Sequence, residues 1–202
     1  MTRVRADDYE AKRQTILDKA AALIARKGFD IATMMEVAKA CGASKSHLYH
    51  YFPSKEDLLY AIVHEHITTQ AVELNRIVAQ PLPADERFAL FVDTFMQGAA
   101  RSRNEHLILM NDIKFLPKVQ LDQIRRMEAE LTKLLEGLLC EINPQFMAEE
   151  RFQKPYALLL FGMMIWTFSW YRRTGSITPR ELAQHISTLF SHGFKALPQA
   201  LN

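Results

Sequence analysis

From Glu10 to Lys27 the apolar residues Ile16, Leu17, Ala20, Leu23 and Ile24 return at three- and four-residue intervals, the period of a helix that buries one face. Lys27-Gly28 closes the run with a basic last turn and a residue able to take a left-handed stop. Thr33-Met34-Met35-Glu36 has the form of a capping box, in which the hydroxyl takes an orphan backbone N–H and the carboxylate reaches back to the cap. A second helix is therefore predicted from about Met34 to Cys41. Gly42 permits a tight turn, and Ser44 can cap a third helix through Lys45, Ser46, His47, Leu48, Tyr49 and His50. Two short helices about a glycine turn thus fall within 17 residues. Pro53-Ser54-Lys55-Glu56-Asp57 reads as a break and a fresh N-cap with acids in the first turn, opening a long fourth helix through Leu58, Leu59, Ile62 and Val63.

Beyond it, Pro81 and Pro83 mark a loop, and helical patterns resume over Arg87 to Arg101, Asn104 to Phe115 and Pro117 to Ile142. After the break at Asn143-Pro144 two more helices are predicted, Glu149 to Arg173 and Thr178 to Leu197, separated by Thr174-Gly175-Ser176. No repeat, low-complexity tract or strand-like alternation of β-branched residues interrupts this pattern. The expected fold is all-α with about nine helices: an N-terminal three-helix bundle containing a helix-turn-helix at 1–53, then a helical body at 54–202.

Composition agrees with helix. The 202 residues are 49% hydrophobic and include only 7 Gly and 8 Pro, too few to punctuate a sandwich, barrel or parallel sheet. Charge sharpens the picture only when it is divided. From Met1 to Tyr60 there are ten Lys and Arg against eight Asp and Glu, and from Ala61 onward fifteen against fifteen, so the net +2 sits at the N-terminal end. Between Glu36 and Glu56 the chain carries Lys39, Lys45, His47, His50 and Lys55 and no acid, as a surface that faces phosphates would. Cys41 and Cys140 are too few for a disulfide framework or a zinc site and read as small buried residues in a reducing cytosol. The charged N-terminus shows no secretory signal, and the longest apolar stretch, Tyr156 to Tyr171, is short of the roughly 18 to 20 residues of a membrane span. A cytoplasmic protein with no membrane partner is expected.

A helix-turn-helix lays its second helix in the major groove while neighbouring groups grip phosphates. Such a helix needs one apolar side for anchorage and one polar side for contact. Val37, Ala38, Leu48 and Phe52 can anchor it on Ile24 and Phe29, leaving Lys45, Ser46, His47, Tyr49 and His50 outward. Tyr and Lys suit phosphates, and Ser and His can hydrogen-bond bases.

Gly28-Phe29, Thr33, Val37-Ala38, Cys41-Gly42-Ala43-Ser44-Lys45 and Leu48-Tyr49-His50-Tyr51-Phe52-Pro53-Ser54-Lys55-Glu56-Asp57-Leu58 resemble the N-terminal signature of the TetR family of repressors. The likeness covers about Ile16 to Ile62. It implies phosphate contacts from Thr33, Tyr49, Tyr51 and Lys55 and groove-facing positions at Lys45, Ser46, His47 and His50, with Ser44 at the cap. Ser46-His47 departs from the family's usual small residue followed by Thr, which leaves the operator sequence open. The resemblance further implies a homodimer on double-stranded DNA, the last two long helices pairing with their copies, and a body that binds a small-molecule inducer. Two apolar stripes are compatible with this: Tyr156, Leu159, Leu160, Met163 and Phe168 on one helix, and Leu182, Ile186, Leu189, Phe190 and Phe194 on the next.

Large adaptable side chains at Phe95, Met110, Phe115, Met163, Trp166 and Trp170 are candidates to line an inducer pocket, together with the basic Arg101 and Lys114. Asn111 to Pro117 and Leu160 to Tyr171 are similar to TetR members that govern fatty-acid, aromatic or steroid breakdown and respond to acyl-CoA thioesters. That likeness implies an acyl part among Phe115, Met163, Trp166 and Trp170 and CoA phosphates near Arg101, Arg103, Lys114, Arg172 or Arg173.

An enzyme is not expected. His64-Glu65-His66 places two imidazoles on different sides of a helix, reads as surface alternation and cannot ligate one ion as an i, i+4 pair would. No Gly-x-Ser-x-Gly, phosphate-binding glycine loop or Cys-x-x-Cys pattern occurs, so no catalytic residue, metal or cofactor is assigned. The competing reading is an architectural or activator protein with a helix-turn-helix and no inducer.

Overall fold

In a computed structural model the residues described are 2–171 and 175–197, with side chains from Asp8 onward. Their regular structure is nine α-helices and two single-turn 3-10 segments: α1 Thr2–Lys27, α2 Met34–Ala40, α3 Lys45–Tyr51, α4 Lys55–Val78, α5 Ala84–Arg101, α6 Arg103–Asn111, α7 Lys118–Ile142, α8 Glu150–Trp170 and α9 Pro179–Lys195, with the 3-10 turns at Ile113–Phe115 and Phe146–Ala148. The chain divides into two compact units, residues 1–66 with 102–124, and residues 67–101 with 125–202.

The first unit is built on the stripe of α1. Ile16, Leu17, Ala20, Ala21 and Ile24 are buried, as are Val37 and Ala38 of α2, Leu48 of α3, Phe52, and Leu58, Leu59 and Ile62 of α4. α1 packs on α6 and on α2, and α2 on α3. Burying a Leu, Ile or Phe side chain stabilises a fold by about 1.5 to 3 kcal/mol, which makes this stripe the force that assembles the short helices. Gly28 and Gly42 hold φ +84° and +64°. Those left-handed angles let α1 stop and α2 turn into α3 within a few residues, conformations costly for any residue with a Cβ.

The second unit is centred on α5, which packs along α9 and also against α8. Phe88, Phe91, Val92, Phe95, Met96 and Ala99 are buried on α5, Leu160, Phe161, Met164 and Phe168 on α8, and Ile186 and Phe194 on α9. Phe91 and Phe95 meet Phe161 edge-on at 6.3 and 5.4 Å, and Phe88 stacks on Phe190 at 5.8 Å. α9 begins in a capping box between Thr178 and Glu181 with Pro179 at its first position. Arg87 ties the α4–α5 connection down by donating to the carbonyls of Leu82 and Val78, each at 3.0 Å, while its guanidinium pairs with Glu141.

Four sequence expectations are corrected. The helix predicted over Asn104 to Phe115 ends at Asn111, because Asp112 turns inward and accepts the backbone N–H of Phe29 at 3.4 Å, and a 3-10 turn follows. The His64-Glu65-His66 alternation is not all surface, since His66 is buried. Cys41 and Cys140 are free thiols only half-buried. The helix predicted to reach Arg173 ends at Trp170, where Tyr171 turns to an extended conformation and caps it by donating its N–H to the Thr167 carbonyl; Arg172 and Arg173 lie outside the described residues.

Candidate DNA interface and ligand-binding residues

Local chemistry dictates the shape of the reader. Thr33 caps α2: its hydroxyl oxygen accepts the N–H of Glu36 at 3.2 Å, and the Glu36 carboxylate accepts the N–H of Thr33 at 3.0 Å. Lys27 also binds Glu36, and these bonds, the lysine's first, hold its carboxyl down to about 2. The capping box therefore stays ionised and complete across the physiological pH range. Ser44 caps α3 by accepting the N–H of His47 at 3.1 Å. Ser54 caps α4, its oxygen accepting the Asp57 N–H at 2.9 Å, and Asp57 in turn receives the Gln120 amide at 2.8 Å.

Only one α3 residue, Leu48, is fully buried, and with Phe52 it pins the helix down. Lys45, Ser46, His47, Tyr49 and His50 are exposed along the rest of it, as is Thr33 at the start of α2. The ammonium of Lys45 lies 5.5 Å from the centre of the Tyr49 ring. Tyr51 is half-buried, stacked on Tyr9 of α1 and touched by His47 and His50. Lys55 sits at the edge of this surface, 4.2 Å over the Phe29 ring, and donates to the Asp30 carbonyl at 3.3 Å. The nine candidate DNA contacts thus occupy one unit, on α2, α3 and the start of α4. A hollow of about 450 Å³ adjoins them, lined by Lys12, Thr15, Ile16, Cys41, Gly42, Ser44 and His47.

The candidate ligand-binding residues are divided between the two units. In the first, Phe115 packs on Phe29 at 5.1 Å, the Lys114 ammonium lies 5.3 Å over the Phe115 ring, and Met110 is exposed at the end of α6. In the second, Phe95 is buried on Phe161, whereas Met163, Trp166 and Trp170 are exposed along α8. Arg101 pairs with Glu73 at 3.1 Å and lines a hollow of about 270 Å³ with Gln97, Thr178, Pro179 and Arg180. Met163 lines a different, apolar groove of about 380 Å³ with Tyr156, Leu159, Leu189, Phe190 and Phe194. Within the second unit, then, Arg101 and Met163 line different hollows.

Several polar groups in the interior were not read from the sequence. His66 and His106 face each other at 3.4 Å. Gln70, one turn after His66, is 5% exposed with its Nε2 unbonded beside Gly98. Burial pushes the Asp112 carboxyl up, against the opposing pull of the Phe29 N–H. Among the described residues no helix is long and apolar enough to cross a membrane, and no group of three or more His, Cys, Asp or Glu could hold a metal ion.

Two family models match the chain: the tetR family of bacterial regulatory proteins over residues 16–62, and the tetracyclin repressor-like C-terminal domain over residues 81–194. The transcriptional repressor KstR2 of Rhodococcus jostii is 25% identical over 198 residues, 96% of this chain and 97% of that protein. The solved structure of a TetR-family transcriptional regulator from Bordetella parapertussis superposes with a TM-score of 0.84 at 32% identity, covering 93% of this chain and 98% of its own. AibR, solved with isovaleryl coenzyme A and operator DNA, shares the fold with a TM-score of 0.79 at 23% identity, over 88% of this chain and 97% of its own. With a matched model over more than half of its length and a second short helix, α3, whose exposed side is polar and free of acids, the chain belongs to the TetR family and is a DNA-binding transcriptional regulator.

Proposed function

We propose that the protein is a ligand-released repressor, binding a pseudo-palindromic operator as a homodimer through residues 1–53 and sensing its inducer through residues 54–202. The observation that carries this reading is the two-sided character of α3, anchored by Leu48 and polar elsewhere along its exposed length. Thr33, Tyr49, Tyr51 and Lys55 contact phosphates, while Lys45, Ser46, His47 and His50 face the groove and Ser44 sets the start of the helix. One such helix grips few phosphates. Two copies on half-sites about 34 Å apart, or a multiple of that, multiply the affinity. The second copy is recruited by the apolar groove and exposed side chains of α8 and α9, including Leu159 and Leu189.

The inducer is an acyl-CoA or a related hydrophobic metabolite, with candidate contacts in each unit: Met110, Lys114 and Phe115 in the first, and Phe95, Arg101, Met163, Trp166 and Trp170 in the second. AibR, with its bound isovaleryl coenzyme A, supports the class. Release follows from linkage: a ligand that prefers the conformer unsuited to the operator weakens DNA binding by the factor by which DNA weakens the ligand's own binding. The protein has no catalytic role and works in the cytoplasm, in keeping with its regulator relatives.

The test is selection of bound fragments from genomic DNA, followed by titration of the protein on a selected duplex with acyl-CoAs of graded chain length. Binding to a palindromic fragment, with release by one acyl-CoA class, is the expected result. Operator affinity that no acyl-CoA or hydrophobic metabolite alters would leave a DNA-binding protein without an inducer and overturn the second half of the reading.

A further inference from the structure

Tyr9 lies on α1, outside the helix-turn-helix, yet its ring stacks on Tyr51 with centroids 4.6 Å apart and planes 23° from parallel. Tyr51 is the last residue of α3, and its ring meets the imidazoles of His47 at 5.2 Å and 69° and of His50 at 5.7 Å and 84°. The four rings make one continuous aromatic cluster within one compact unit. α1 is also tied to α3 and α4 beside it: the Arg13 guanidinium lies 5.8 Å from the Phe52 ring centre and pairs with Glu65 at 3.0 Å.

An exposed His on a helix has two soft side-chain torsions and several accessible rotamers, and each must be given up when it reads a base. A ring packed beside it narrows that choice in advance only if the ring is itself immobile. Tyr51 is half-buried, and Tyr9 stacks on one face of it. Resting on the reading of His47 and His50 as groove-facing residues, we infer that Tyr9 is a positioning residue for base recognition. By stacking on Tyr51 it fixes the imidazoles that discriminate the operator, without itself needing to touch DNA. The tyrosine hydroxyl is dispensable for this role and the ring is not.

The experiment uses the full-length protein, a duplex selected from a randomised pool by the wild type, and a set of its single-base variants. Wild type, Tyr9→Ala, Tyr9→Phe, His47→Ala and His50→Ala are compared by fluorescence anisotropy at a temperature where circular dichroism shows all five folded. Tyr9→Ala should compress the affinity ratio between the selected duplex and its variants by about two- to tenfold, the range an aromatic pair supplies. The compression should fall at the base positions that the histidine variants relax, while affinity for a random-sequence duplex at low salt stays at the wild-type value. Tyr9→Phe should keep the wild-type ratios. Unchanged ratios in Tyr9→Ala, alongside relaxed ratios in His47→Ala or His50→Ala, overturn the positioning role alone. Loss in Tyr9→Phe equal to that in Tyr9→Ala also overturns it, because the hydroxyl would then be the acting group. Unchanged ratios in both histidine variants overturn the assignment of the groove-facing residues, and this inference with it.

Discussion

His66 on α4 and His106 on α6 bring Nε2 and Nδ1 to 3.4 Å in the interior of one compact unit, with 6% and 2% of their surfaces exposed. The bond needs one bare nitrogen and one N–H, so the two rings cannot both be protonated in the fold. Burial lowers the pKa of His66 from 6.5 to about 4, and burial together with the neighbouring His66 lowers that of His106 to about 3. The unfolded chain, with ordinary histidines, therefore takes up more protons than the fold as pH falls below 6.5. Stability held by the neutral pair is fully present above that pH and is lost progressively as pH drops towards 4. For His66 alone the loss between pH 7.5 and 5 is on the order of 2 kcal/mol. Urea unfolding at graded pH should show this slope in the wild type and a much shallower one in His66→Leu/His106→Leu. An equal slope in the double variant would place the proton uptake elsewhere.

The reader was legible in the sequence because its instructions are local. Thr33 with Glu36, Ser44 with His47 and the left-handed Gly28 and Gly42 each act within a few residues, and each appears as the spacing predicts. The histidine pair was invisible, since it joins positions 40 residues apart and follows from how α6 packs. For the same reason α6 stops before the periodicity does, where Asp112 finds the Phe29 N–H. The stripes on α8 and α9 were readable as apolar. Periodicity is identical for a core face and a docking face, however, so nothing in it separated buried Leu160 and Ile186 from exposed Leu159 and Leu189.

Gly42 isolates the backbone term in the turn between α2 and α3. Its φ is +64°, and a Cβ built there meets no atom within 4 Å, so a substitution adds no clash. Gly42→Ala should destabilise the protein by roughly 1 to 2 kcal/mol through the left-handed conformation alone, and Gly42→Asn by less. Denaturant midpoints measure the difference. Equal losses for Ala and Asn would mean that something other than φ governs the turn.

Lys55 and His47 should fail in different ways when they are replaced. Lys55→Gln removes a charge at the edge of the reader and should weaken binding to every duplex while reducing the slope of log affinity against log salt by about 0.9, the worth of one phosphate. Lys55 also packs on Phe29 and donates to the Asp30 carbonyl, so a modest fall in melting temperature should accompany the loss. His47→Ala should leave the salt slope as it is and alter preference at particular base pairs. Anisotropy titrations from 50 to 300 mM salt on matched and mismatched duplexes separate the two, and a salt slope unaltered in Lys55→Gln would remove it from the phosphate contacts.

The exposed apolar face of the second unit supplies the last expectation. Leu189 is 68% and Leu159 57% exposed, and both line one groove with Met163, Phe190 and Phe194. Contiguous apolar surface of this kind is stable in water when a partner covers it, and a symmetric pair of chains covers the patch on both. Because Leu189 points away from the core, Leu189→Glu should leave the melting temperature of the isolated chain little changed and act on association instead. Two carboxylates brought together in the paired face cost far more than one in water. Sedimentation should therefore report a monomer for Leu189→Glu at concentrations where the wild type is a dimer. Operator affinity should fall at least tenfold, since each half-site is then bound alone. A Leu189→Glu protein that remained dimeric with full operator affinity would assign the interface to a different surface.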